Sequence, residues 1–461
     1  MIKRLIIKNL GPIKEADILF GNLTIICGKN SVGKTYLSYT HYLLTSIFFD
    51  SFRSSIKYPE LEAWIKNNYT DDFSKFTFTL NIDDIKINTN KIINELKSTE
   101  TAVFLANSLE LNSTPLPEID VEIDNDFLDR VSKGKGGINA FISEINVSIE
   151  KPADENLFRI DITRDESAPS TSNKKIIDDI SNVLSYFICR RLLSHAQFAI
   201  TSERTGISLF YNDLDSSLRK SIIDFGYKNK DQSAPKNIYI KPIEDNIATI
   251  RSLSHERNFF RISNGNKKNL DTVKIMRDLI GGKYKSEEKT IKFIPENRDN
   301  VVVSLKSSSG AAKSMLLLDH FVTKLQTMNG LLIIDEPEMN LHLDNQKKMA
   351  HLLAALSNNG VRVVVTTHSD HFVREINNLV MLSSPKIDRK SKSELLKKAN
   401  IKDVSILRPE SVSTVVIESG PRKTKAMTIS ELGIDLTLFN DEIIKSIDIA
   451  NEISMAIYEG S

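Results

Sequence analysis

The chain has 461 residues, 40% of them hydrophobic, and 61 Lys and Arg against 60 Asp and Glu give a net charge of +1. This balance excludes a strongly basic nucleic-acid coat protein and an acidic disordered chain. Its 2 cysteines, Cys27 and Cys189, form no CxxC pair, and no apolar run approaches the roughly 20 residues of a transmembrane helix. We therefore expect a cytoplasmic protein with neither a structural zinc site nor a membrane contact.

The first 49 residues show a dense alternation of apolar residues. Residues 5–7 and 13–20 predict two short strands. The continuous apolar run at 23–27 predicts a buried strand, and 35–49 predict a helix directly after it. We expect residues 1–49 to form one lobe of the fold.

The loop between this strand and this helix fits the pattern G-x-x-x-x-G-K-[ST] at every fixed position. Glycines let backbone N–H groups turn toward phosphate oxygens, the lysine reaches the β- and γ-phosphates, and the hydroxyl binds Mg²⁺. The motif predicts ATP and Mg²⁺ as ligands of Gly28, Lys29, Asn30, Ser31, Val32, Gly33, Lys34 and Thr35.

Residues 50–293 are polar and carry no further phosphate-binding motif. We expect a large mixed α/β or helical insertion, with a helix at 174–196 and a return to the core near 197–211. Basic clusters at 251–268 and 386–402 leave contact with nucleic acid open, although charge runs are usually solvated surfaces.

The C-terminal lobe, residues 294–461, returns to dense patterning. Strands are predicted at 301–305, 331–334 and 361–366, with a helix at 345–356. Alternation of helices with continuous apolar strands predicts an α/β fold with a mainly parallel core.

Two acidic residues end the predicted strand at 331–334. Asp335 is placed to hold Mg²⁺ together with Thr35, as in a Walker B motif. Glu336 follows directly and can polarise the attacking water, so we predict it as the catalytic carboxylate.

Residues 335–342, DEPEMNLH, resemble the extended Walker B of ABC-type ATPases in the RecF, SMC and OLD group. Residues 6–13 and 25–30 are similar to the opening of that group. The group often has proline after the histidine, where this chain has Leu343. The resemblance implies a P-loop ABC-type ATPase head.

The resemblance also implies a signature segment, which in this class contacts the nucleotide of a partner subunit. Small residues that open a helix about 25 residues before Walker B fit that role, with an ordinary helix cap as the alternative. The candidates are Ser308, Ser309, Gly310 and Lys313.

Four more residues receive roles from the resemblance. Asp344 is the candidate D-loop aspartate, and His368, at the end of the strand beside Walker B, is a candidate catalytic switch histidine or a capping histidine. Gln197 is a Q-loop candidate or a surface residue. Arg204 lies in an S-E-R-x-G segment and could equally be a structural ion-pair residue.

Stand-alone ATPases of this type resemble the ATPase subunits of two-gene anti-phage systems such as Septu and PARIS. That likeness implies a homodimer or higher homo-oligomer that senses a phage-encoded trigger and controls a separate effector, expected to be a nuclease. We expect no nuclease activity of the chain itself, since no D-x-D pair follows Glu418. The alternatives are a RecF-like DNA-repair ATPase that binds DNA in an ATP-dependent way, and a nucleotide-gated scaffold with almost no turnover.

Overall fold

The computed structural model describes residues 2–68, 75–111, 115–124, 127–142, 145–153, 155–164, 173–189, 197–228, 239–255, 267–296, 301–325, 330–437, 448–453 and 455. The N-terminal part contains β1 (Ile2–Leu10), β2 (Ile13–Leu19), β3 (Leu23–Gly28) and α1 (Lys34–Ser55). Helix α1 therefore covers the helix predicted at 35–49 and continues beyond it.

The middle of the chain is a mixture of helices and strands. Its elements are β4 (Ile56–Lys57), α2 (Pro59–Asn68), β5 (Lys75–Asn81), β6 (Lys86–Ile87), α3 (Thr89–Leu96), α4 (Thr99–Ser108), β7 (Glu118–Ile123), α5 (Phe127–Lys133), β8 (Gly136–Ile142), β9 (Ile145–Lys151), β10 (Leu157–Arg164), α6 (Asn173–Phe187), β11 (Gln197–Ile200), α7 (Arg204–Lys228), α8 (Lys241–His255), α9 (Lys267–Ile280), β12 (Gly282–Glu287) and β13 (Thr290–Pro295).

The C-terminal part alternates strands and helices. Its elements are β14 (Val303–Ser304), α10 (Gly310–His320), β15 (Leu331–Asp335), α11 (Leu343–Asn358), β16 (Arg362–Thr367), α12 (Asp370–Met381), α13 (Arg389–Ala399), β17 (Val412–Ile417), β18 (Thr424–Ala426), β19 (Ile429–Ser430) and β20 (Gly433–Ile434).

A six-stranded sheet in the order β11-β15-β16-β3-β17-β18 forms the centre of the fold. The first five strands are parallel, and β18 alone pairs antiparallel. The prediction of an α/β fold with a mainly parallel core is confirmed. Because the strands are parallel, the residues that follow β3, β15 and β16 meet at one edge of the sheet.

Both faces of this sheet are covered along its inner strands, which explains why β3, β15 and β16 are almost continuously buried. Ile26 and Ile333 lie in one hydrophobic cluster, whereas Ile25 and Ile334 lie in the other. Successive side chains of a strand point to opposite faces, so each strand contributes to both clusters.

The insertion contributes its own sheets. Strands β5, β10, β9 and β8 form an antiparallel sheet, and β7 joins β1 and β2 in a second antiparallel sheet. Strand β11 lies in the central sheet beside β15, within the segment for which a return to the core is predicted.

Two predicted elements differ from the structure. The strand expected at 301–305 is limited to Val303–Ser304, since the Ser304 hydroxyl accepts a hydrogen bond from the Lys306 N–H and turns the chain. The helix expected at 174–196 is observed as Asn173–Phe187, and residues 190–196 lie outside the described part of the chain. No helix that the structure describes is long and apolar enough to cross a membrane.

Candidate nucleotide-binding site

The loop that connects β3 to α1 has the backbone of a phosphate-binding loop. Gly28, Ser31 and Gly33 have positive φ angles of 153°, 62° and 111°. A Cβ at Gly33 would lie 2.6 Å from the Ile13 side chain, so only glycine fits. Gly33 is the N-cap of α1 and provides no side-chain cap, which leaves the first-turn N–H groups available to an anion.

The Lys34 ammonium lies across this loop. Its Nζ donates to the carbonyl oxygens of Gly28 and Lys29, each at 2.9 Å. Burial lowers the pKa of Lys34, while the nearby carboxylates, with Glu336 first and Asp335 next, oppose that shift. The cation is therefore held where the sequence places the β- and γ-phosphates.

Oxygen donors from two elements form a candidate Mg²⁺ site. The Thr35 hydroxyl donates to Asp335 Oδ2 at 2.9 Å, and the Thr366 hydroxyl donates to the other carboxylate oxygen. Burial raises the pKa of Asp335 to about 6, although these two hydrogen bonds act in the opposite direction. A hydroxyl and a carboxylate at this spacing are the hard oxygen ligands that suit Mg²⁺, with phosphate and water oxygens completing the shell.

The predicted catalytic pair lies next to these donors. The Glu336 backbone is left-handed, with φ of 48°, and its N–H donates to the Thr366 carbonyl at 3.0 Å. The Nδ1 of His368 lies 3.1 Å from Glu336 Oε1, and both side chains reach the surface. The sheet thus brings a carboxylate and an imidazole together from the ends of β15 and β16.

A further carboxylate, which the sequence analysis left without a role, fixes the end of β16. Glu338 Oε1 accepts hydrogen bonds from the Thr367 hydroxyl at 2.6 Å and the His368 N–H at 3.3 Å. Glu338 is buried, so this contact positions the histidine backbone. Its place in the DEPE motif is the signal that could have found it.

Arg204 holds the Walker B main chain in place through hydrogen bonds. This fully buried guanidinium donates to the carbonyl of Asp335 at 2.8 Å and to that of Glu336 at 2.7 Å. Burial lowers the pKa of Arg204, and the Asp335 carboxylate opposes that shift most strongly. The contacts are with main-chain oxygens, so the ion-pair interpretation does not describe them.

The signature candidates begin α10. Ser309 is its N-cap, because its hydroxyl accepts from the Ala312 N–H at 3.1 Å, and Ser308 Oγ donates to the Leu305 carbonyl at 2.7 Å. Within this chain, Ser309 is therefore a helix cap, as the alternative interpretation of the signature segment predicts. Ser309 and Gly310 are also exposed, while the Lys313 N–H closes the first turn on the Ser309 carbonyl at 3.1 Å.

Asp344 lies in the first turn of α11, where its side chain is exposed and 3.8 Å from Lys348 Nζ.

Gln197 is at the wrong end of the sheet for a Q-loop. It pairs with Leu331, the first residue of β15, whereas Asp335 is the last, and its amide donates to the Ser46 hydroxyl. The Q-loop hypothesis for Gln197 is therefore wrong.

The sequence predicts two basic clusters, at 251–268 and 386–402. Residues 256–266 of the first lie outside the described residues. The second includes α13, which buries none of its residues.

A family model described as the AAA ATPase domain matches residues 1–373, which include the P-loop, Walker B and His368. The chain belongs to this ATPase family. The match spans the insertion as well as both motif-bearing lobes. A search of curated proteins found no significant match to this ATPase.

Solved structures give distant likenesses to this AAA ATPase. One is an SmcHead bound to the C-winged helix domain of ScpA, with 13% identity over 92% of this chain and 96% of that one and a TM-score of 0.37. A second is a Pyrococcus furiosus Smc head with an extended coiled coil bound to the C-terminal domain of ScpA, with 14% identity over 98% of this chain and 99% of that one and a TM-score of 0.36. A third is the SMC head domain from Thermotoga maritima, with 12% identity over 93% of this chain and 99% of that one and a TM-score of 0.27.

Proposed function

We propose that this ATPase binds Mg²⁺–ATP at the edge of its central sheet and hydrolyses it with Glu336 as the general base. The observation that carries the proposal is the convergence of Lys34, Thr35 and Asp335 with the Glu336–His368 pair. These groups supply a phosphate cation, two metal ligands and a proton acceptor, as phosphoryl transfer to water requires.

Each side chain has a defined task in this mechanism. Thr35 and Asp335 would hold Mg²⁺, which when bound neutralises charge on phosphate oxygens. The P-loop N–H groups and Lys34 bind the phosphates and balance the charge that develops on them. Glu336 orients a water molecule and accepts its proton, and His368 orients the Glu336 carboxylate through the 3.1 Å contact while facing the γ-phosphate.

We further propose that the complete site forms between two subunits of a homodimer or higher homo-oligomer. Ser309 and Gly310 are exposed at the N-terminus of α10, where a serine hydroxyl and free backbone N–H groups can meet the γ-phosphate of a partner subunit. Asp344 is exposed at the start of α11 and would lie in the same interface.

A complementation assay tests the shared site. Lys34→Ala removes the phosphate cation and Ser309→Arg blocks closure, so each variant alone should be inactive. In a mixed dimer one composite site retains both intact residues, so phosphate release should partly return once subunit exchange is verified. Two inactive variants that stay inactive after proven exchange would rule out the shared site. Loss of ATP binding in Ser309→Arg would count against it as well.

In the cell, we propose that ATP-dependent assembly makes the chain a sensor and scaffold for a separate effector, a nuclease, in bacterial anti-phage defence. This part rests on the resemblance of the stand-alone motif set to two-gene defence ATPases. Affinity purification from the native host, with Lys34→Ala as the matched control, should recover an effector in an ATP-dependent manner. Recovery of a nuclease supports the proposal. Absence of a nuclease from both the wild-type and the control samples contradicts it.

The second candidate is a RecF-like ATPase that binds DNA when ATP is bound. The exposed helix α13 favours it, because its segment 386–402 contains seven basic residues. Binding of duplex DNA that requires ATP and weakens in Lys397→Ala/Lys398→Ala would support this candidate over the effector scaffold.

A further inference from the structure

A cavity of about 810 Å³ lies in the insertion, away from the P-loop. It is an open cavity lined by the C-terminal end of α1, strand β4 and helices α2 and α6. Cavities of about 300–1,000 Å³ are typical of small-molecule sites. Helix α1 starts in the P-loop and, with 22 residues, is about 33 Å long, so the cavity and the nucleotide site occupy opposite ends of one helix.

Charged side chains of both signs line this cavity. Arg53, Lys57 and Lys66 supply the cations, and Glu62 and Asp178 supply the carboxylates. Within the described part of the chain Lys57 and Lys66 form no ion pair, whereas Arg53 pairs with Asp50 at 3.4 Å. The two lysines are therefore available to an anionic ligand.

A buried hydroxyl in the wall lacks a hydrogen-bond partner. Ser181 Oγ is buried without a partner among the described residues, although it stands in the interior of α6. A helical serine often bonds the carbonyl four residues earlier, as Ser55 does with Ser51 in α1. A buried polar atom left unpaired is costly and points to a missing partner.

One turn further along α6, a buried polar contact lies in the lining of the cavity. The Tyr58 hydroxyl and Ser185 Oγ are 2.7 Å apart in a buried hydrogen bond that joins α6 to the chain between β4 and α2. This contact fixes the helix that carries Ser181. The site is thus shaped by the fold and does not depend on surface side chains alone.

We infer that this cavity binds a small phosphate ester that also carries hydroxyl groups. Arginine and lysine are the residues that bind phosphate. Glu62 and Asp178 can accept hydrogen bonds from sugar hydroxyls, as carboxylates do with ribose in nucleotide sites. Ser181 supplies the additional polar contact. Sugar phosphates and nucleoside monophosphates share this chemistry.

Binding is measured by calorimetry in the Lys34→Ala chain, where the P-loop cannot compete, and in the wild type saturated with a non-hydrolysable ATP analogue. The probes are ribose 5-phosphate, AMP and inorganic phosphate. Saturable binding of ribose 5-phosphate and AMP supports the site with a sugar phosphate as ligand class, and binding of AMP alone supports it with a nucleotide. Binding of inorganic phosphate alone, or of no probe, overturns the inference.

Two variants locate the bound probe. Lys57→Ala/Lys66→Ala should weaken binding by about tenfold or more, because each removes a charge-assisted hydrogen bond. The matched control, Lys274→Ala/Lys289→Ala, removes the same charge from two exposed lysines outside the cavity lining and should leave affinity unchanged. Ser181→Ala should weaken binding without lowering thermal stability in the absence of probe, because it removes an unpaired buried hydroxyl. Equal effects of the two lysine pairs would refute the assignment, and this result would be independent of whether the chain hydrolyses ATP.

Discussion

Replacement of Arg204 by methionine should uncouple ATP binding from ATP hydrolysis. The guanidinium holds the carbonyls of Asp335 and Glu336 at 2.8 and 2.7 Å. Methionine fills a similar volume but donates no hydrogen bond, so both guanidinium contacts are lost, and the Glu336 carbonyl keeps only the Met339 N–H, at 3.0 Å. Hydrogen bonds to charged groups contribute about 1.5–3 kcal/mol each. Relief from burying a charge offsets part of that sum, and we expect a net loss of about 3 kcal/mol in the free energy of unfolding.

The effect of Arg204→Met on turnover should exceed its effect on binding. A shift of about 1 Å in the backbone that carries Glu336 can lower the rate about 100-fold. Lys34 and its loop do not contact Arg204 through any hydrogen bond that the structure describes, so ATP affinity should change by only a few fold. Urea denaturation, calorimetric ATP binding and steady-state phosphate release at a temperature where the variant is folded measure the three quantities.

Arg159→Met is the matched control for this experiment. Arg159 pairs with Glu155 at 2.8 Å, but both side chains are largely exposed, and exposed pairs contribute only about 0–1 kcal/mol. If Arg204→Met retained the denaturation midpoint and turnover of this control, Arg204 would not brace the catalytic backbone. Equal losses in kcat and in ATP affinity would indicate a general loss of structure.

Three further substitutions test separate parts of the molecule. Lys34→Ala should abolish binding of a non-hydrolysable ATP analogue in calorimetry, and unchanged affinity would contradict the P-loop assignment. Glu336→Gln should retain ATP binding while phosphate release falls by about 10²–10⁴-fold, since an amide cannot accept the proton; turnover close to wild type would exclude Glu336 as the base. Burial raises the pKa of Asp319, in α10, from 3.8 to about 7. The unfolded chain thus binds fewer protons than the folded chain between these values, and the free energy of unfolding should fall as pH rises from about 4 to about 7, by at most about 4 kcal/mol. Asp319→Asn should remove this pH dependence and raise the melting temperature at pH 8, and parallel melting curves for both proteins across that range would refute the shift.

The α/β fold and the location of the nucleotide site could be read from the sequence because the signals are local. The P-loop is a contiguous run between a buried strand and a helix, and Asp335 and Glu336 directly end another buried strand. Parallel strands place such ends at one edge of a sheet, so the approach of Thr35 to Asp335 follows from pattern and fold class. The catalytic and trans-acting roles of Glu336, His368 and Ser309 remain predictions.

Only the tertiary structure decided which distant side chains complete this site. Arg204 reaches carbonyls 131 and 132 residues later in the chain, and no local pattern specifies that contact. The Q-loop hypothesis for Gln197 failed because the order of motifs along the chain does not specify strand register. The pairing with Leu331 puts Gln197 at the edge of the sheet opposite to the nucleotide site. The sheet of β5, β8, β9 and β10 and the cavity beside Tyr58 likewise arise from long-range packing. Local spacing determines chemistry within one turn or strand, whereas contacts between elements depend on how the whole chain buries its apolar surface.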